Sequence, residues 1–165
     1  MGLDMYLYAD KYVSRKDYSN YNYGQDSEPA INPAFQEIVS ALKAESLIDN
    51  DYTGMNVSLP VGYWRKANAI HGWIVDNCAG GVDECQRIYI TKDKATELVS
   101  LCHEVLRNPS RADELLPPRS GFFFGTYEID EYYIHDLKYT VEVFEKVLKA
   151  AERNEIDGVT YQASW

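Results

Sequence analysis

No apolar run in this 165-residue chain approaches the roughly 20 consecutive residues that a membrane-spanning helix needs. Cysteine is scarce and odd in number: Cys78, Cys85 and Cys102 leave one thiol over under any pairing, which argues against a disulfide framework and for a reducing, cytoplasmic setting. No charged start followed by an apolar segment suggests a secretory signal, and Tyr6 stands where a myristoylation signal wants Ser or Thr. Positive charge is also in short supply. With 16 Lys and Arg against 26 Asp and Glu the formal charge is −10, which disfavours contact with a long nucleic acid, because such binding draws its affinity from clustered cations that displace counterions. A local pair of cations can still hold one small anion, since the field in a pocket and the net charge are different quantities.

Catalytic signatures are missing as well. The chain has no Gly-x-Ser-x-Gly elbow, Walker loop, dinucleotide fingerprint, Cys-x-x-Cys or His-x-x-x-His. His103-Glu104 begins like a zinc-protease helix, but Arg107 occupies the second histidine's place. Neither a catalytic residue, a metal site nor a cofactor is therefore expected. Acids beside Cys78 and Cys85 would raise a thiol pKa, the wrong direction for a nucleophile.

What the chain does have is apolar content of 45% with 25% charged residues, enough for a globular core, and 14 tyrosines against 5 phenylalanines, rings that carry a polar handle to half-buried faces. Leu3, Met5 and Leu7 alternate with Asp4, Tyr6 and Tyr8, the period of a half-buried strand. Residues 11–28 lose all period and read as a long Tyr-rich mobile loop. Asn32-Pro33, Thr91 and Asp130 each stand where a helix begins, ahead of stripes such as Ala95, Leu98, Val99 and Cys102, or Tyr133, Leu137, Val141 and Phe144. Further strands are expected near residues 56–60, 87–91, 122–127 and 159–165. The sum is one α+β domain over residues 1–165, about five short, mostly antiparallel strands with four main helices. A doubly wound sheet ranks second because no glycine phosphate loop follows a strand.

Residues 62–77, GYWRKANAIHGWIVDN, carry the densest recognition chemistry. Read as one helix from Tyr63, they put Tyr63, Ala67, Ile70 and Ile74 toward the core and gather Trp64, Arg65, Asn68 and His71 on one flank. A stacking ring, a guanidinium fork, an amide and an imidazole suit a planar base joined to an anion. The competing reading is an interfacial helix in which Trp64 covers core, Arg65 meets a surface carboxylate and His71 is a satisfied polar group. Downstream, Arg119 and the aromatic run 122–124, with Phe123 at its centre, offer a second anion contact and a second stacking surface; core packing competes for at least two of those rings. Tyr6, Tyr8 and Trp165 are weaker candidates for the wall of the site. The acids from Glu128 to Glu131 read first as a solvated helix start.

The segments MGLDMYLY, GYWRKANAIHGWIVDN, GVDECQRIYIT, SGFFFGTYEIDEYYIHDL and YQASW resemble a family of small bacteriophage and prophage proteins over essentially the whole chain. The resemblance implies a source and a host bacterial cytoplasm, and carries over no activity or residue role. In that setting the expected function is a non-enzymatic binder of a small anionic, nucleotide-like ligand, one that sequesters a bacterial immune signal, as a homo-oligomer without membrane contact. Two alternatives are a protein-binding inhibitor acting through the acidic, Tyr-rich surface, and a phosphodiesterase using Asp4, His71 and the acids near Asp130.

Overall fold

The alternation at the start of the chain becomes β1 (Asp4–Ser14), followed in order by α1 (Pro33–Ala41), β2 (Gly54–Arg65), α2 (Asn68–Cys78), β3 (Ile88–Tyr89), α3 (Lys92–Arg107), α4 (Ala112–Leu115), α5 (Glu131–Glu152) and β4 (Gly158–Ser164). The coordinates, a computed structural model, describe residues 2–22, 24, 28–49, 53–119, 121 and 128–165. Among these residues the architecture is α+β with four strands and five helices rather than five and four. The strand expected at 122–127 lies outside the described residues, and α4 is a single turn.

The strands form one sheet in the order β2-β1-β4-β3. β1 and β4 pair antiparallel from Asp4↔Ser164 to Asp10↔Gly158, and Ile88 and Tyr89 of β3 pair with Tyr161 and Thr160. That register puts Met5, Leu7, Tyr161 and Ala163 on one face, all buried, and Tyr6, Tyr8, Thr160 and Gln162 on the other. The buried face packs with α2, α3 and α5 in a core that includes Leu3, Ile70, Ile74, Leu98, Leu137 and Phe144. Each such side chain contributes about 1.5–3 kcal/mol of transfer free energy. All three expected caps form: Asn32, Thr91 and Asp130 accept N–H bonds from Ala34, Lys94 and Tyr133 at 3.0, 3.2 and 2.9 Å.

By packing the chain divides into two compact units, Met1–Asp10 with Ser58–Trp165, and Lys11–Val57. Within the second, β1 runs on to Ser14, four residues into the segment read as a loop, and a bridge joins Lys16 to Ile31. There the Arg15 and Asp17 N–H groups donate to the carbonyls of Thr53 and Ala30, both at 2.8 Å, and Phe35 and Val39 are the buried residues of α1. The features below all belong to the first unit.

Candidate functional site

The segment 62–77 is not one helix. β2 runs through Arg65, Lys66 turns the chain with a left-handed φ of 64°, and α2 begins at Asn68. A strand alternates its side chains where a helix would wind them, so the faces expected from helical spacing exchange at the start of the segment. Tyr63 points outward and donates its hydroxyl to Asp4 at 2.5 Å, while Trp64, 2% exposed, enters the core. The indole N–H of Trp64 donates to the Thr140 hydroxyl at 3.0 Å, and its ring meets Tyr139 edge-on at 5.3 Å. Gly62 makes room for that ring, since a Cβ there would lie 2.8 Å from it. Trp64 has no free face for a ligand.

His71 is likewise enclosed. The imidazole is 0% exposed, with Nδ1 2.7 Å from the Tyr161 hydroxyl and Nε2 2.9 Å from Asp83. With Asp83 ionised, Nε2 carries the proton, and in the neutral ring Nδ1 then accepts from Tyr161. Burial, and next the Asp83 charge, push the Tyr161 phenol well above its usual range, which keeps it a donor. Trp165 donates its indole N–H to the other Asp83 oxygen at 3.3 Å. This chain of polar groups, buried at His71 and Tyr161 and reaching solvent at Asp83 and Trp165, ties α2 to β4 and the loop after α2. It is a structural network, with His71 turned away from any ligand edge.

The remaining members of the expected flank do line a cavity, one of about 450 Å³. Arg65, Lys66 and Asn68 form one side, and Glu128, Asp130, Tyr132 and Asp136 border it from the loop before α5 and from α5 itself. The size lies within the range of about 300–1,000 Å³ that holds small-molecule ligands. Arg65 and Lys66 make no ion pair among the described residues. Ala67 sits at the α2 N-cap, where Ser, Thr, Asp or Asn would ordinarily satisfy the first-turn N–H groups, and supplies no side-chain acceptor. Tyr132, 73% exposed, stands at the rim. Asp136 faces this space half-buried, and burial pushes its carboxyl up to about 6.

Arg119 lines a separate cavity of about 320 Å³ with Gly72, Asp76 and Pro117. Its guanidinium pairs with Asp76 at 2.5 Å, and its stem covers Gly72, where a Cβ would come within 3.1 Å. The two arginines therefore line different cavities. Asn68 links the two places, lining the larger cavity while its side-chain carbonyl accepts the Arg119 backbone N–H at 3.3 Å. Phe123 lies outside the described residues.

Tyr6 and Tyr8 stand on the outer face of the sheet, away from both cavities. Tyr6 lies 5.3 Å from the Tyr63 ring, and the Arg87 guanidinium sits 5.1 Å over Tyr8. Asp10 accepts from Ser58 and Thr160 on that face. Trp165 borders neither cavity, its indole committed to Asp83. Cys102 is buried with its thiol pushed up to about 12 by desolvation, and burial also raises Cys78. Lys66, Tyr132 and Asp136 are cavity residues that spacing alone did not select; an alternating run from Met55 to Tyr63 was the available sign that the strand precedes the helix.

The fold is thus a four-stranded sheet with one face covered by helices and, at the start of α2, a cavity lined by charged and apolar side chains. Compared with protein-family models, curated proteins and solved structures, the chain matches none. No helix among the described residues is long and apolar enough to cross a membrane.

Proposed function

We propose that the protein binds a small anionic, nucleotide-like ligand in the cavity between the start of α2 and α5. The observation that carries this reading is the pair of cations Arg65 and Lys66, which make no ion pair among the described residues, beside a helix start whose N-cap residue supplies no side-chain acceptor, in a protein of net charge −10. The ligand's anionic group lies against these two side chains and the positive end of α2, where the Asn68 N–H is already taken by the Lys66 carbonyl at 2.8 Å. Tyr132 takes the stacking role first expected of Trp64, and Asn68 remains in the wall. Arg119 and His71 have other tasks, the first as the partner of Asp76 and the second inside the core.

The resemblance to phage proteins extends the proposal to a biological role: the chain sequesters a nucleotide signal of bacterial immunity in the host cytoplasm, as a homo-oligomer and without turning the ligand over. Calorimetric titration with cyclic and ADP-ribose-type nucleotides tests the binding. The expected result is saturable heat from at least one of them, at least tenfold weaker in an Arg65→Gln/Lys66→Gln variant that melts at the same temperature. Absence of heat and of any melting shift across the panel removes the reading.

The outer sheet face favours a second reading, an inhibitor that docks on a protein. It presents Tyr6, Tyr8, Tyr63 and Tyr89 beside Asp4 and Asp10. A protein partner captured equally by the wild type and the Arg65→Gln/Lys66→Gln variant would favour this face over the cavity. The phosphodiesterase reading has less support, since Asp4 is bound to Tyr63 and His71 is enclosed by Asp83 and Tyr161.

A further inference from the structure

The cavity at the start of α2 has two chemically opposite sides. Arg65 and Lys66 offer positive charge, whereas the α5 side offers carboxylates, among which Asp136 makes no hydrogen bond through its side chain with any described residue. Asp130, by contrast, is committed to capping α5 through the Tyr133 N–H at 2.9 Å. A ligand that was only an anion would be attracted at one side and repelled at the other.

We infer that the ligand carries, besides its anionic group, a pair of adjacent hydrogen-bond donors that the two oxygens of Asp136 receive. This rests on the reading of the cavity as an anion site. A carboxylate has two parallel acceptors, so it matches two neighbouring N–H or O–H groups and leaves no lone pair facing another. Two parts of a nucleotide present such a pair: the N1–H and N2–H edge of guanine, and the 2′,3′-diol of ribose. The adenine edge does not, because its amino group is flanked by a ring nitrogen that would oppose the second oxygen. Burial of Asp136 strengthens the preference, since a half-desolvated carboxylate gains more from a donor than one in water does. Tyr132 beside it is placed to cover the plane of a base.

The test is calorimetry on the full chain with guanosine 5′-monophosphate, its 2′-deoxy form, adenosine 5′-monophosphate and inorganic phosphate, for wild type and Asp136→Asn. The expected result is that guanosine monophosphate binds at least tenfold more tightly than phosphate, and that Asp136→Asn removes this advantage without weakening phosphate, whose repulsion by the carboxylate is relieved. If the guanine edge supplies the donors, the deoxy form keeps the advantage and adenosine monophosphate lacks it. If the diol supplies them, adenosine monophosphate keeps it and the deoxy form lacks it. Equal affinities for all four ligands, unaffected by Asp136→Asn, would overturn the donor pair and leave the anion site standing. No binding by any ligand, phosphate included, would remove both.

Discussion

Trp64 donates its indole N–H to the hydroxyl of Thr140, joining an edge strand of the sheet to the middle of the longest helix at 3.0 Å. Thr140 in turn donates to the Asp136 carbonyl one helical turn earlier at 2.7 Å. A Thr140→Val substitution keeps the shape and strands a buried indole donor, for which the expected loss is about 1–3 kcal/mol. Denaturant unfolding monitored by circular dichroism measures it; an unchanged midpoint would mean that the indole finds water.

Gly62→Ala is expected to destabilise by about 1–3 kcal/mol, because the new methyl would lie 2.8 Å from the Trp64 ring and 2.9 Å from Val143, so that one of these two buried side chains must shift. The same unfolding experiment reads this, and near-ultraviolet circular dichroism should report a shifted indole environment.

His71→Leu leaves the Tyr161 hydroxyl buried without its partner and releases Asp83 from the imidazole. The expected cost is about 2–4 kcal/mol. Tyr161→Phe in the same background should cost little more, since one hydrogen bond cannot be lost twice. Additive losses in a double-mutant cycle would show that the two residues act independently.

Asp136 carries a pH signature. Its carboxyl moves from the ordinary 3.8 up to about 6 through burial, so between those values the folded protein holds a proton that the unfolded chain has released. Stability therefore falls as pH rises across that window and stays lower above it. Asp130 and His135 bear on the group, and Glu128, Arg65 and Lys66 share its cavity. Asp136→Asn should raise stability at pH 7 by about 1–2 kcal/mol after allowance for partial solvent screening, a gain of roughly 2–8 °C in Tm, and should change little near pH 4. Paired melting curves at the two pH values check the sign.

The parts of the fold legible in the sequence are those set by local chemistry. Leu3, Met5 and Leu7 declare their face by alternation, and Asn32, Thr91 and Asp130 declare helix starts because a short side chain meeting a free N–H is a contact between near neighbours. Segment 62–77 misleads because its strand-to-helix junction hangs on Lys66, a residue type with no preference for the left-handed φ it adopts. Trp64 and His71 have the chemistry of a binding site, but tertiary partners 76 and 90 residues away draw them inward. Arg65 and Asn68 survive at the cavity, while Asp136 was hidden inside what reads as a solvated acidic helix start.

β1 and β4 are neighbours within the sheet although they come from opposite ends of the sequence; Thr160 donates to Asp10 across 150 residues. Closing so long a loop is slow, and it rewards the chain only when the last strand arrives. β1 can meet β2 early, but it gains its β4 neighbour only after the intervening α2, α3 and α5 have been made. The seam between β1 and β4 is thus among the last contacts the chain can complete, and any step that delays β4 leaves one hydrogen-bonding side of β1 without its strand.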